Sequence, residues 1–284
     1  MPKPPRIFSI GWDAFNRFSE DDGWAIASHI ALSTLTSLFP FLSFVGALAG
    51  LFGSPTLAAS ATKLLFDAWP AQVAAPIAAE VMNVLNEPRK GVAAVSALLA
   101  IYFASSGVEA LRIGLNRAYN VRDRRAWWVL RLESILYVLV GSVALIAFAF
   151  LVVFAPLIWN RVVQYAPHLA GLSELVFITR VALISAILFG TLVIAHKFLV
   201  DGDRSFREIM PGVLVTIALW LLFGEGFGVY LQNFAQNYIS TYAGLSSAMI
   251  AIVFLYMLGA IFIFGAEINA AIAARRTPAP NNQA

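Results

Sequence analysis

Apolar residues run in solid blocks along this chain, and the charged ones gather between the blocks. No Asp, Glu, Lys or Arg falls between Asp22 and Lys63, and the strongest part of that stretch is Trp24 to Phe52. A helix needs about 20 mostly apolar residues to cross a bilayer. On that criterion the sequence predicts six spans, at about 24–52, 91–108, 134–159, 175–198, 211–230 and 245–273. A membrane barrel would instead show alternating segments of about ten residues. The expected fold class is therefore all-α, a polytopic membrane protein whose six-span domain covers 23–275.

The segments outside these blocks have their own character. Residues 1–22 are polar and charged, and the apolar block that follows is too long for a signal-peptide core, so no cleaved leader is expected. Ser19, Glu20, Asp21 and Asp22 put acceptors and negative charge at the start of the first span. Residues 54–90 are punctuated by Pro55, Pro70, Pro76 and Pro88. There Val73, Ile77, Val81, Val84 and Leu85 recur at helical spacing, which predicts an outward-facing amphipathic helical segment between spans one and two. Pro211 is expected to open the fifth span, where a missing N–H costs nothing. Gln232 to Ala243 is polar but uncharged, and its path, re-entrant or flat, is left open. The tail 276–284 is rich in Pro and Asn and is expected to be disordered.

Composition agrees with the pattern. Hydrophobic residues make up 60% of the 284 residues and charged ones 12%, against about 25% in an ordinary soluble domain. Mean hydropathy is +0.78. These values exclude a soluble enzyme, a disordered chain and a nucleic-acid-binding domain. Cysteine is absent, so there is no thiolate nucleophile and no Cys-ligated metal. His29, His168 and His196 stand far apart, and no nucleophile elbow or phosphate-cradling glycine loop is present. The expectation is a protein that is not an enzyme, with no catalytic residue, metal or cofactor.

Charge distribution sets the expected orientation. With six spans, 14 of the 19 Lys and Arg collect on the side that holds both termini. By the positive-inside rule that side is cytoplasmic. The six Arg at 112–131 form the most basic stretch, expected to meet anionic lipid headgroups rather than nucleic acid. The oligomeric state stays open, a homo-oligomer included.

Ionisable residues at membrane depth are costly and so are candidates for function. Arg180 and Glu225 fall at a similar, outward depth, where they either pair, line a cavity or lock two helices in register. Glu109 and Arg112 share a helix face at i,i+3, and Glu267 and Asn269 lie near the inner end of span six. In span one, His29 sits beside Ser28, Ser33, Thr34, Thr36 and Ser37, and Pro40 follows. A hydroxyl stripe with a proline reads either as a moving gate or as static helix packing. The substrate-binding candidates are thus Arg180, Glu225, His29, Glu109, Arg112, Glu267 and Asn269, with Pro40 as the gate.

Several motifs carry a family resemblance. They are Leu38-Phe39-Pro40 in span one, Gly107-Val108-Glu109-Ala110-Leu111, and Leu115-Asn116-Arg117-Ala118-Tyr119-Asn120-Val121. Pro211-Gly212, Tyr242-Ala243-Gly244-Leu245 and Gly265-Ala266-Glu267-Ile268-Asn269-Ala270 complete the set. Together and in this order, from about residue 13 to 275, they resemble the YihY/BrkB family of bacterial inner-membrane proteins. The resemblance implies six transmembrane helices and the bacterial cytoplasmic membrane. Members have carried the label ribonuclease BN, which this sequence does not support; others are labelled virulence or serum-resistance factors, and some are thought to act in envelope lipid export. The leading expectation is a transporter of a lipidic or amphipathic envelope-related solute. The alternatives are a non-transporting scaffold or receptor for envelope machinery and, weakest, a membrane-bound hydrolase.

Overall fold

The computed structural model describes residues 6–52, 93–242 and 245–276. Among them are eight α-helices and no strand. Helix α1 is Arg6–Glu20, α2 Gly23–Phe52 and α3 Ala93–Ala118. Helix α4, Trp127–Ala149, passes through a π-helical turn at Phe150–Phe154 into α5, Ala155–Tyr165. Helix α6, Ser173–Ile194, ends in a second π turn at Ala195–Leu199. Helices α7, Phe206–Tyr242, and α8, Ser246–Arg276, complete the chain. The predicted amphipathic segment 54–90 and most of the tail lie outside the described residues.

Among the described residues four stretches are long and apolar enough to cross a membrane by length and composition: Trp127–Phe148, Pro167–Leu199, Phe206–Asn233 and Ala248–Arg276. Helix α8 is the most enclosed of them. Its Ala260, Phe262, Ile263 and Ala266 meet Ile26, Ala27 and Ile30 of α2, Ala110 and Leu115 of α3, and Val213 of α7 in one core. Helix α6, by contrast, buries only Leu192 along its length, so its apolar sides face outward.

Several expected limits move. Helix α3 does not stop at 108 but carries on to Ala118, which brings Glu109, Arg112 and Asn116 onto one continuous helix. Pro211 does not open its span. It lies inside α7, which starts five residues earlier and leaves the carbonyl four positions back without its usual N–H. The uncharged stretch from 232 to 242 neither re-enters nor lies flat as a separate segment; it is the last part of α7. Residues 6–20, read as a polar leader to span one, form a helix of their own. The backbone of α2 stays helical on both sides of Pro40.

Candidate functional site

Most of the polar side chains buried in this apolar bundle gather at one end, where the C-terminal halves of α3 and α8 meet α1 and the starts of α4 and α7. Glu109, Arg112, Asn116 and Tyr119 recur every three or four residues, so a helical α3 presents them as one stripe. Arg112 is buried. It donates to the Leu130 carbonyl (2.9 Å) and Ser134 Oγ (3.1 Å) of α4, and lies 3.5 Å from Glu109 Oε1. Glu109 is held on its other side by Arg131 (2.7 Å), whose guanidinium also donates to the Tyr102 carbonyl and stacks 3.8 Å over the Tyr102 ring. Thus the predicted Glu109–Arg112 pair forms, and it is a triad with Arg131.

The α3–α4 loop is locked by a second set of charges. Arg125 grips Asp123 with two N–H groups (2.9 and 2.8 Å), reaches Glu133 Oε2 (2.7 Å), and donates to the Leu199 carbonyl at the end of α6. Asn116 donates to Asp123 Oδ2 and accepts from the Asp201 N–H, both at 3.1 Å. The Arg125 guanidinium holds the Asp123 carboxyl below the usual carboxylate range, and Asp123 raises Arg125 in turn. Arg117 pairs with Asp22. Four of the six Arg in the basic stretch are therefore engaged by carboxylates of the chain itself.

Deeper in the bundle, Asn269 joins three elements. Its Oδ1 accepts from the Gly212 N–H (2.6 Å), and its Nδ2 donates to the Ile209 carbonyl (3.0 Å) and to Tyr119 Oη (2.9 Å). Tyr119 Oη lies 2.9 Å from His196 Nδ1. The imidazole tautomer sets which of the two donates. Among the described residues the fully buried Nε2 has no partner. Arg204 stacks over the Tyr119 ring at 4.3 Å. Burial pushes the Tyr119 phenol up to about 12, so it stays neutral.

Glu267 is fully buried, and neither of its carboxylate oxygens meets a donor at hydrogen-bonding distance among the described residues. Its nearest cation is Arg17 of α1, with Nε 3.5 Å from Oε2. A buried carboxylate supported by one long ion pair is expensive to keep charged.

The remaining expected site residues are not part of this cluster. Arg180 and Glu225 form no ion pair among the described residues: Glu225 is exposed, while the Arg180 guanidinium sits 5.4 Å over its own neighbour Phe177. His29 is exposed on α2. The hydroxyls of Ser28, Thr36 and Ser37 donate back to the carbonyls of Trp24, Leu32 and Thr34 in the same helix. These hydrogen bonds stay within α2. No group of three metal-ligating side chains occurs among the described residues.

Arg17, Asn116, Tyr119, His196 and Arg204 were not singled out by sequence. The 3–4 spacing of Glu109, Arg112, Asn116 and Tyr119 carried a signal, hidden by ending the second span at 108. No sequence spacing links His196 or Arg17 to that stripe.

Long apolar helices around a buried polar cluster make this a multi-pass membrane protein. The chain belongs to the Virulence factor BrkB family, whose model matches residues 14–284. It is 25% identical to the ribonuclease-like protein YfkH of Bacillus subtilis (strain 168), over 93% of this chain and 95% of that protein. It is also 25% identical to a UPF0761 membrane protein of Xanthomonas oryzae pv. oryzae (strain PXO99A), over 95% of this chain and 62% of the relative. UPF0761 membrane protein XAC0937 of Xanthomonas axonopodis pv. citri (strain 306) matches at the same identity over 63% of its length. The chain thus spans less than two thirds of the Xanthomonas relatives. No solved structure matches it.

Proposed function

We propose that this protein is a transporter that exports a lipidic or amphipathic envelope-related solute across the bacterial inner membrane. In this reading the chain crosses six times, both termini are cytoplasmic, and residues 54–90 cap the bundle outside. It works without covalent catalysis. The observation that carries the reading is Glu267: a fully buried carboxyl with no hydrogen-bond partner among the described residues and only the long ion pair to Arg17, near the Asn269–Tyr119–His196 chain, in a helix apolar enough to cross the bilayer. Proteins keep such a group where ions or polar headgroups pass. Glu109, Arg112, Glu267 and Asn269 serve the inner polar site in this scheme. Arg180 and Glu225 serve an outer one, where the exposed Glu225 is open to solute.

The test is reconstitution into vesicles of phosphatidylethanolamine and phosphatidylglycerol containing a headgroup-labelled phospholipid, with and without an imposed pH gradient. Wild type should raise the rate at which inner-leaflet label becomes reachable by an external quencher, and Glu267→Gln should abolish the increase while keeping its helical content. Wild-type vesicles that behave like protein-free ones under both conditions would overturn the lipid reading. The scaffold alternative draws on the rigid α3–α4 loop, with Trp127 and Trp128 exposed beside it. It predicts that exchanging this loop abolishes function and that Glu267→Gln is silent.

A further inference from the structure

Helix α1 carries an apolar stripe that nothing in the fold covers. Phe8, Trp12 and Phe15 are 67%, 58% and 44% exposed, and Trp12 and Phe15 stack with ring centroids 6.1 Å apart. At about 100° per residue these three side chains lie within about 60° of one another.

A second sector of α1 faces the protein. Ala14 and Phe18 are buried, Ala14 against Ile268 and Ala271 of α8 and Phe18 in the main core. Arg17 approaches Glu267 from that side. A third sector is polar: the exposed Asn16 and Glu20 lie about 40–80° beyond the apolar stripe, and Ser9 and Asp13, which Arg275 of α8 holds, fall among them on the same winding.

A free-standing soluble helix needs two sectors, one apolar against protein and one polar toward water. A helix lying in the surface of a bilayer beside its own bundle needs three: protein, lipid and water. The apolar stripe also continues into the outward surface of the bundle. Trp24, just past the α1–α2 turn, is exposed and stacks on Tyr256 of α8, while Phe18 meets it edge-on at 4.9 Å. The exposed Arg276 closes the same end with positive charge, which suits phosphate headgroups.

We propose that α1 is an in-plane membrane helix, whose Phe8–Trp12–Phe15 stripe lies in the lipid leaflet next to the buried polar cluster. The occupant of the stripe is the phospholipid bilayer, and the docked helix holds Arg17 over Glu267. The inference is independent of any transported solute, since it concerns where α1 lies and not what passes.

The absence of native cysteine makes the test direct. Single substitutions Phe8→Cys, Trp12→Cys, Phe15→Cys, Asn16→Cys and Glu20→Cys are labelled with a nitroxide in the full chain. Each is reconstituted in vesicles of phosphatidylethanolamine and phosphatidylglycerol. Labels at 8, 12 and 15 should relax faster with oxygen than with a water-soluble nickel chelate, and labels at 16 and 20 should reverse that order. As a readout needing no label, brominated-chain lipids should quench part of the tryptophan emission, and Trp12→Phe should remove part of the quenched component. Labels at 8, 12 and 15 reached mainly by the nickel chelate would overturn the proposal. So would labels shielded from both reagents with spin–spin broadening, which would mean that a second copy covers the stripe.

Discussion

Asn269 does three jobs with one amide, and each is set by what its partners lack. The Gly212 N–H needs an acceptor, the Ile209 carbonyl accepts a second donor, and Tyr119 Oη is held 2.9 Å from His196 Nδ1. Truncating the side chain leaves these groups buried and unpaired, and unmade buried bonds cost more than made ones gain. Asn269→Ala should therefore lower stability by about 2–3 kcal/mol, read as a fall in the thermal unfolding midpoint in detergent. Asn233→Ala is the control: Asn233 bonds only the Val229 carbonyl of its own helix at an exposed position, and its loss should stay within about 0.5 kcal/mol. At the same scale, Asp123 gives a pH dependence. Arg125 holds its carboxyl below the ordinary aspartate value, so the folded chain binds the proton less readily than the unfolded one. The stabilisation is therefore complete above about pH 4 and is lost as pH falls through the lower folded value. Asp123→Asn should be less stable than wild type at pH 7, and the gap should narrow below about pH 4. A gap that stays constant from pH 7 to 3 would contradict this account.

At the scale of the helix pair, glycine decides how closely α7 and α8 cross. A Cβ on Gly212 would overlap the carbonyl oxygen of Gly265 and the Asn269 amide, and a Cβ on Gly265 would overlap Thr216 Oγ1 and, less severely, the Gly212 carbonyl oxygen. The severe obstacle to the first is backbone and cannot swing aside; the severe obstacle to the second is a side chain. Gly212→Ala should thus cost more than Gly265→Ala, with the former at about 3 kcal/mol, and Thr216→Ala should partly rescue Gly265→Ala but not Gly212→Ala. Unfolding midpoints of the single and double variants check the order. This crossing also explains what the sequence showed and what it hid. Apolar runs announce helices by length alone, so the elements were legible from Trp24 to Phe52 and from Leu245 to Ala273. Their ends were not, because charge-free runs mark the lipid-facing portion, whereas α3 and α7 continue as helix into polar sequence through Arg112 and from Phe206. Glu267 and Asn269 stood out in sequence as polar residues late in an apolar helix. Their partners Arg17 and Tyr119 did not, since the pairings join residues 250 and 150 positions apart in the chain.

For the whole molecule, the question is why buried charge gathers at one end. The loop network of Asp123, Arg125 and Glu133, the Glu109 triad and the Arg17–Glu267 pair all lie where α3 and α8 run out of apolar sequence. At that end four of the six Arg of the basic stretch are bonded to carboxylates, carbonyls or rings, so the stretch acts first as internal fastening. Only Arg122 and Arg124 of its six remain exposed without a carboxylate partner at their side chains among the described residues. Positive-inside bias is read during insertion, before these pairs form, so internal fastening and orientation do not conflict. The orientation proposed here makes a direct prediction. In intact cells, a membrane-impermeant maleimide should label Arg161→Cys, at the exposed turn of α5, and should leave Glu20→Cys and Arg276→Cys unlabelled until the cells are opened. All three positions are exposed, so protection cannot come from burial in the protein. The reverse pattern would place the polar cluster on the outer side, and α1 would then lie in the outer leaflet. Labelling of all three in intact cells would mean an odd number of crossings between Glu20 and Arg161 cannot hold, and the six-span reading would fall with it.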